Sequence, residues 1–364
     1  MNVSWTLYRY LSLQFLISVG TILGILLAFV YLLDIVEMLR QFSGRAEVSF
    51  SRIALLGLLK LPYMAEQMLP FAFLFGAMLA FTKLTRNHEL VVVRASGVSV
   101  WQFLLPGLVV ALVTGIFTIT VYNTVSATFY QEFENLHANS LQSKSRLLQV
   151  SRQGLWLRQG DRNEQSVIHA LGIKDRGRTL EHVIIFLYEG GDNWVGRIDA
   201  QSAILEPGYW DIKNAQITEA GLPTVFRQNY RLETSLTVDQ IQDSFASPDT
   251  MSFWDLPHFI EVAEAAGFSA LRHRLHWHTV LSTPFLLCAM VLIAATFSLR
   301  LTRLGGIGRL VVAGVITGFI LYFISDLASA LGMSGNLPVT LAAWSPTFVA
   351  LLLGLATLFY LEDG

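Results

Sequence analysis

Thr85-Arg-Asn-His-Glu-Leu-Val-Val-Val-Arg-Ala-Ser-Gly97 is a polar interruption between two long apolar stretches, one ending near Thr82 and the next beginning near Val98. Because each flanking stretch is long enough to cross a bilayer, the interruption has to lie at a water-facing edge of the membrane. We predict a short helix within it, with Asn87 as the N-cap and Gly97 as the C-terminal stop.

One face of this predicted helix is apolar. Leu90 and Val93 are three residues apart and share that face, with Glu89 and Val92 beside them. A loop in solvent needs no such run of apolar side chains. A partner protein is therefore one candidate to cover this face, and a turn that grazes the membrane is the other.

Composition places the chain among integral membrane proteins. It is 53% hydrophobic and only 14% charged, with a mean hydropathy of +0.50, which ordinary soluble domains do not reach. The net charge of -2 gives no argument for nucleic-acid binding. The single cysteine, Cys288, lies in an apolar run, so the sequence has neither a disulfide framework nor a thiol metal cluster.

Six stretches are apolar and long enough to span a bilayer, and they are split three and three by a polar middle. They cover residues 11–33, 53–82, 98–125, 279–299, 310–327 and 342–360. Basic residues are more frequent in the short loops on the side of the N-terminus. This bias predicts that both termini are cytoplasmic and that the polar middle lies on the opposite side of the membrane.

The polar middle has the pattern of an all-β domain. Short β-rich runs such as Gly154–Arg158 and His182–Tyr188 are separated by turn signals. Several strands at this spacing predict an antiparallel sandwich, jelly roll or open barrel of about 110 residues. The predicted domains are the first three spans (1–130), the β domain (131–252), and an interfacial helix followed by the last three spans (253–364).

The sequence offers little chemistry of its own. It contains no P-loop, no Gly-x-Ser-x-Gly elbow and no His-Glu-x-x-His zinc helix. For His273, His276 and His278, at the mouth of the fourth span, a metal site and a polar interface belt are the alternatives, and we predict the belt. We therefore predict no catalytic residue, metal or cofactor in this chain. A lipid-modifying membrane enzyme that uses His273, His276 or Asp326 is the second hypothesis.

Charges at the membrane edge are the best candidates for contacting a ligand. Burying an ionisable side chain within a membrane span costs several kcal/mol unless the group is paired or faces a water-filled cavity. Arg40, Lys60 and Arg52 are our candidates to rim a cavity that accepts an anionic lipid headgroup. Ion pairing between these helices, with Asp34 or Glu37 as the acid, is the alternative.

The arrangement of these parts resembles the LptF/LptG permease family of the lipopolysaccharide export machine, over almost the whole chain. The most specific match is Glu89-Leu-Val-Val-Val-Arg-Ala-Ser-Gly97, which is similar to the coupling-helix segment of that family. Gln153-Gly-Leu-Trp156 resembles the opening of its β-jellyroll. Ala95-Ser-Gly97 is more similar to the LptG branch than to the LptF branch, which is kept as the alternative.

The resemblance implies a membrane α-helical permease with six transmembrane helices and an inserted periplasmic β-jellyroll-like domain, without an ATPase site of its own. Two copies of the cytoplasmic ATPase LptB, which bind ATP and magnesium, power an LptF–LptG heterodimer in the bacterial inner membrane. The heterodimer extracts lipopolysaccharide from the outer leaflet and passes it to LptC and LptA. The residues that this resemblance assigns to docking on LptB are Glu89, Arg86 and Arg94. Leu90 and Val93, from the apolar face, complete the predicted coupling residues.

Two stretches depart from the family pattern. Where family members carry a lysine-rich cluster that meets lipid A phosphates, this chain has Asp34-Ile-Val-Glu-Met-Leu-Arg40-Gln41, with one cation and two acids. Basic residues at the foot of the β-domain give way to Tyr130-Gln-Glu-Phe-Glu134. The resemblance further implies that the first and fifth spans line the lateral gates against the partner permease. A third hypothesis is an ABC permease for lipoproteins or a mechanotransmitter; those have four spans per half, which six spans split three and three do not fit.

Overall fold

A computed structural model gives the fold of this chain. It describes residues 5–42, 49–140, 148–151, 154–160, 164–174, 178–189, 193–219, 221–234, 236–237, 247–265, 269–301 and 307–362. The described residues form two compact units. One contains 1–137, 249–253 and 274–364, and the other contains 138–248 and 254–273.

The membrane unit is built from long apolar helices. Before the sheet these are α1 (Trp5–Gln41), α2 (Phe50–Arg86), the short α3 (Glu89–Ala95), α4 (Val100–Phe117), a π-helical turn (Thr118–Tyr122) and α5 (Asn123–Ser140). After the sheet come the short α6 (Leu256–Ala265), which belongs to the other unit, and then α7 (Leu271–Leu301), α8 (Ile307–Met333) and α9 (Val339–Glu362).

Six of these helical segments are long and apolar enough to cross a membrane, which confirms the predicted number and the split into three and three. The helices extend beyond the apolar stretches at their ends, because polar residues continue the same hydrogen-bonded turns. The third span runs on as one helical segment through the π-helical turn and α5 to Ser140.

The spans differ in how much of each is covered by the rest of the chain. In the most apolar stretch of α2, and likewise of α7, 61% of the residues are buried. The corresponding share is 11% for α1 and 22% for α8. Helices α1 and α8 therefore present most of their apolar surface outward, to lipid or to another protein.

Glycines allow the closest approaches between these helices. A Cβ atom on Gly115 of α4 would lie 2.4 Å from the Cα atom of Pro284 on α7. A Cβ atom on Gly314 of α8 would lie 2.9 Å from the sulfur of Met78 on α2. Small residues at such crossings let helix backbones pack tightly, which is a main source of helix association in lipid.

The second unit is a seven-stranded antiparallel sheet in which each strand pairs with the next along the chain. The strands are β1 (Leu148–Ser151), β2 (Gly154–Gly160), β3 (Glu164–Lys174), β4 (Thr179–Glu189), β5 (Asn193–Glu206), β6 (Tyr209–Glu219) and β7 (Val225–Glu233). The predicted all-β insertion is confirmed. Its described strands form a meander, without the crossovers between non-neighbouring strands that a jelly roll of two Greek keys contains.

This sheet rolls up around one face. Its inner side chains alternate with outer ones along β2 to β6, and Leu157, Ile185 and Ile212 are fully buried. The Trp210 indole N–H on β6 donates to Gln159 Oε1 on β2 at 2.9 Å, although three strands separate β2 from β6 in the sheet. Strands lie about 4.8 Å apart in a flat sheet. A contact across the inner face therefore requires strong curvature.

Candidate coupling and lipid-binding sites

The predicted coupling segment forms a seven-residue helix, α3, between two sharp turns. α2 ends at Arg86 with Asn87 as its C-cap, and His88 then adopts the left-handed conformation with φ of 60°. Gly97 closes the other side with φ of 85°, and Ser99 caps the start of α4. The short helix and the stop at Gly97 are confirmed. The prediction of Asn87 as the N-cap is wrong, because Asn87 ends the preceding helix.

The faces of α3 are arranged differently from the sequence prediction. Leu90 is only 7% exposed and packs in the core of the membrane unit, with Val93 partly buried against that core. Val91 and Val92 are 59% and 67% exposed. Leu90 and Val93 thus anchor α3 to its own chain, and Val91 and Val92 form the apolar surface that a partner can reach.

Glu89 is held in a fixed orientation at the start of α3. The Tyr10 hydroxyl of α1 donates to Glu89 Oε2 at 3.0 Å, and the Asn87 amide donates to Oε1 at 3.1 Å. Tyr10 is 79 positions away in the chain, so no local pattern in the sequence links it to Glu89. Of the two flanking cations, Arg86 is exposed, and Arg94 lies in α3 with its side chain outside the described part of the structure.

Lys60, one of the headgroup candidates, is paired with an acid. Its ammonium nitrogen lies 2.6 Å from Asp34 Oδ1, and the two side chains are 25% and 12% exposed. The same nitrogen lies 5.5 Å from the ring centre of Phe133 on α5, in the geometry of a cation–π contact. The ring of His137 packs against Phe133 at a centroid distance of 5.3 Å. Lys60 thus joins α1, α2 and α5 at this edge of the membrane unit.

The other two headgroup candidates are exposed. Arg40 forms two hydrogen bonds with Glu37 on the same helix, from Nε at 3.0 Å and from Nη2 at 2.9 Å. Arg52, in the first turn of α2, forms no ion pair with the described residues. Asp34 and Glu37 therefore offset two of the three charges, as the ion-pairing alternative expects.

A buried polar network that the sequence did not reveal lies deeper in the membrane unit. The Asn123 amide donates to Glu66 Oε1 at 2.9 Å, and its carbonyl oxygen accepts the backbone N–H of Phe253 at 2.7 Å. Asn123 follows directly on the π-helical turn, where Tyr122 donates to the Pro62 carbonyl at 3.1 Å. Isolated π turns are frequent at functional sites. This network gives Glu66 a partner inside the chain.

The residues of the enzyme hypothesis lie in separate settings. His273 is 5% exposed, and its ring packs against Phe259 at a centroid distance of 4.5 Å. His276 Nδ1 lies 3.5 Å from a carboxylate oxygen of Asp249. Asp326 is exposed on α8. Among the residues that the structure describes, no three His, Cys, Asp or Glu side chains are grouped so as to hold a metal.

Comparisons with known proteins agree with this architecture. The family model described as "Lipopolysaccharide export system permease LptF/LptG" matches residues 9–360. The chain is similar to the lipopolysaccharide export system permease protein LptG of Escherichia coli (strain K12), with 24% identity over 335 residues, 90% of this chain and 91% of the relative. It is also similar to the protein of the same name from Haemophilus influenzae, with 22% identity over 351 residues, 94% of this chain and 95% of the relative. The matches include both the membrane helices and the sheet.

Proposed function

We propose that this chain, which belongs to the LptF/LptG family of lipopolysaccharide export system permeases, is the LptG-type subunit of such a system. It extracts lipopolysaccharide from the outer leaflet of the inner membrane and passes it to a periplasmic bridge. The relatives named LptG, at 24% and 22% identity, support the choice of the LptG branch. An LptF subunit would be its partner in the membrane, and LptC and LptA would receive the lipid.

The observation that carries this proposal is the pairing of a six-span helical unit with a rolled β sheet inserted between the third and fourth spans. A permease that lifts a lipid needs an apolar surface outside the membrane; the apolar side chains of the inner face of the sheet, which are buried in this structure, would supply it once the sheet opens. The bias of basic residues in the short loops supports an orientation with the sheet in the periplasm and both termini in the cytoplasm.

In this proposal the partner permease packs against α1 and α8. These are the least covered spans of the unit, with 11% and 22% of their most apolar stretches buried. Apolar faces of this extent are covered by lipid or by a second protein. We assign them to the gates through which lipopolysaccharide enters between the two permeases.

Energy for transport enters through α3, which docks on the LptB ATPase dimer. The helix is anchored to its own chain by Leu90 and by the Tyr10–Glu89 hydrogen bond, so movement of α3 is passed on to α1. Its exposed face offers Val91 and Val92 to the ATPase, and the flanking cations in the sequence are Arg86, the last residue of α2, and Arg94 of α3. ATP and magnesium bind in the partner, and this chain contributes no catalytic group.

Two charge and surface variants test the docking of α3. Val92→Asp places a charge on the exposed face, and Glu89→Lys reverses the charge that Tyr10 orients; both should reduce co-purification of the ATPase while leaving membrane insertion intact. Ser96→Asp is the matched control, because Ser96 is exposed just beyond the same helix. Wild-type yield of ATPase with both variants, together with normal export, would remove α3 as the coupling element.

Arg40, Arg52 and Lys60 are the proposed contacts to the anionic headgroup. Since Asp34 pairs with Lys60, the lipid phosphate has to compete with that carboxylate for the ammonium group. A photo-crosslinker at Arg40 should capture lipopolysaccharide in intact cells. A blank result there, beside a positive crosslink from the inner face of the sheet, would remove Arg40 from the path.

A further inference from the structure

A short segment of the chain, Asp249–Phe253, is built into the membrane unit, although the chain on both sides of it belongs to the unit that contains the sheet, the β unit. Residues 138–248 precede the segment and residues 254–273 follow it. Thr250 and Phe253 are only 6% and 8% exposed. The segment is therefore a buried point of attachment from which the chain leads into the β unit in both directions.

The third and fourth spans hold this segment. The side-chain carbonyl oxygen of Asn123, in the first turn of α5, accepts the backbone N–H of Phe253 at 2.7 Å. The Phe253 ring forms a small core cluster with Ile119 of the π-helical turn and Val280 of α7. It also stacks on Trp277 of α7, with 5.7 Å between the ring centres. The contacts to Phe253 therefore come from both sides of the inserted β unit along the chain.

Asn123 also connects the segment to the second span. Its amide donates to Glu66 Oε1 at 2.9 Å, and Ser126 is a second hydrogen-bond partner of the same carboxyl group. Asn123 and Ser126 are 4% and 1% exposed, and Glu66 is partly buried. An ionisable group inside a membrane span is costly, whereas close packing of small and apolar residues joins helices in lipid without that cost. Stability alone therefore does not account for this network.

Both helices that Asn123 joins are irregular at this level. Pro70 has no backbone N–H to donate to the Glu66 carbonyl, four residues earlier on α2, so one bond of the helical ladder is missing there. On the third span, the π-helical turn Thr118–Tyr122 ends directly before Asn123. Prolines and π turns are the usual places at which long helices bend. The network therefore joins two helices next to their points of bending.

Helix α2 connects this network with the coupling segment. It continues from Glu66 to Arg86, about 30 Å along the axis, and α3 begins three residues later at Glu89. A displacement at α3 can therefore reach Glu66 through a single helix, with Pro70 as the point at which that helix can bend on the way.

We propose that Glu66 and Asn123 form a latch, which makes segment 249–253 move together with the first part of α2, residues 50–66. Asn123 is then a positioning residue for transport, because a displacement of α2 is passed through it to the chain that leads into the β unit. This role rests on the proposed function, since ATP hydrolysis in the partner supplies the displacement. When the latch is broken, α2 moves and the β unit does not follow.

A distance between two spin labels tests the latch itself. The labels are placed at Leu58, which is 58% exposed on α2, and at Met251 of the segment, in the purified complex in nanodiscs. We expect one narrow distance distribution in the otherwise unchanged protein. Asn123→Leu removes both hydrogen bonds at similar side-chain size and should broaden the distribution. Thr128→Val is the matched control, because the Thr128 hydroxyl donates to the Thr124 carbonyl within the same helix.

Transport measures the positioning role. ATP hydrolysis and the release of lipopolysaccharide to the bridge proteins are followed in the same nanodiscs. Asn123→Leu should leave the rate of ATP hydrolysis unchanged and lower the amount of lipid released per ATP about fivefold, the effect of one lost hydrogen bond. A merely structural contact would lower both rates together, along with the midpoint of thermal unfolding.

An exchange of the two groups tests the hydrogen bond separately from the packing. Glu66→Gln keeps the acceptor oxygen and should behave as the wild type. At mildly alkaline pH, Asn123→Asp places two carboxylates against each other and should behave as Asn123→Leu. In the double variant the new amide donates to the new carboxylate, so the bond is restored with its direction reversed and the release of lipid per ATP should recover.

Several results would overturn the proposal. A narrow distance distribution in Asn123→Leu would show that the latch does not hold the segment. An unchanged ratio of lipid to ATP in that variant, a parallel fall of both rates, or a double variant as impaired as Asn123→Asp would remove Asn123 as a positioning residue. The distance is read without ATP or exported lipid, so a failure of the export or LptG assignment leaves that outcome interpretable.

Discussion

The substitution Asp34→Asn leaves the Lys60 ammonium without its acid. The two groups are 2.6 Å apart, with side chains 25% and 12% exposed. Breaking a fully buried pair from one side costs about 3–5 kcal/mol, and an exposed pair is worth at most about 1 kcal/mol. For this partly buried pair we expect the free energy of unfolding to fall by about 2–3 kcal/mol.

A double-mutant cycle measures the pair itself. Asp34→Asn, Lys60→Met and the double variant are unfolded by denaturant in a mild detergent, and we expect a coupling energy of about 1–2 kcal/mol. The matched control is the cycle of Glu37→Gln and Arg40→Met on the same helix end. Those side chains are 45% and 78% exposed, so solvent screens the pair and its coupling should be too small to detect in the same assay.

Although Asp34→Asn should destabilise the protein, it should strengthen binding of the lipid substrate. Without Asp34, Lys60 is available to a lipid phosphate, and retention of lipopolysaccharide by the purified complex should rise about fivefold. Additive effects of Asp34→Asn and Lys60→Met on stability would refute the structural role of the pair. Unchanged retention in a folded Asp34→Asn protein would refute Lys60 as a headgroup contact.

Gly115→Ala should lower the free energy of unfolding by about 1–3 kcal/mol, because its methyl group would lie 2.4 Å from a backbone carbon of α7. Gly20→Ala, with no atom within 4 Å of the added carbon, is the control in the same thermal unfolding assay. Tyr10→Phe removes the hydrogen bond to Glu89 and should weaken ATPase co-purification about fivefold, with little change in unfolding. Gln159→Leu leaves two donors of the β unit without their acceptor and should cost about 2–3 kcal/mol, measured from tryptophan fluorescence during unfolding. A wild-type value in any of these assays would show that the contact in question does not contribute.

The parts of the fold that were predictable are those set by local hydrophobic patterns. The lengths of the apolar stretches predicted the six spans, and short runs rich in β-forming residues predicted the sheet. The family resemblance stated from the sequence is confirmed by the match over 9–360. The curvature of the sheet was not predictable, because it depends on contacts such as that between Gln159 and Trp210, 51 positions apart.

The candidate sites follow the same division. The existence of α3 could be predicted from a polar break with a terminal glycine, since both are local signals. The face of α3 that packs inward could not be predicted, because the burial of Leu90 depends on how the neighbouring helices pack around it. The cations could be counted in the sequence, but the pairing of Lys60 with Asp34 joins two helices 26 positions apart.

Helix α1 connects the two contacts that matter most to the proposed function. Tyr10 holds α3 at one end, and Asp34 holds Lys60 near the other, about 36 Å away along one helix. Because an unbroken helix is stiff, a displacement of α1 at one membrane face would tilt the whole helix and so move its other end, as in a lever arm. Gly20 and Gly24 lie between these points with open space beside them, and they mark where this lever would bend first.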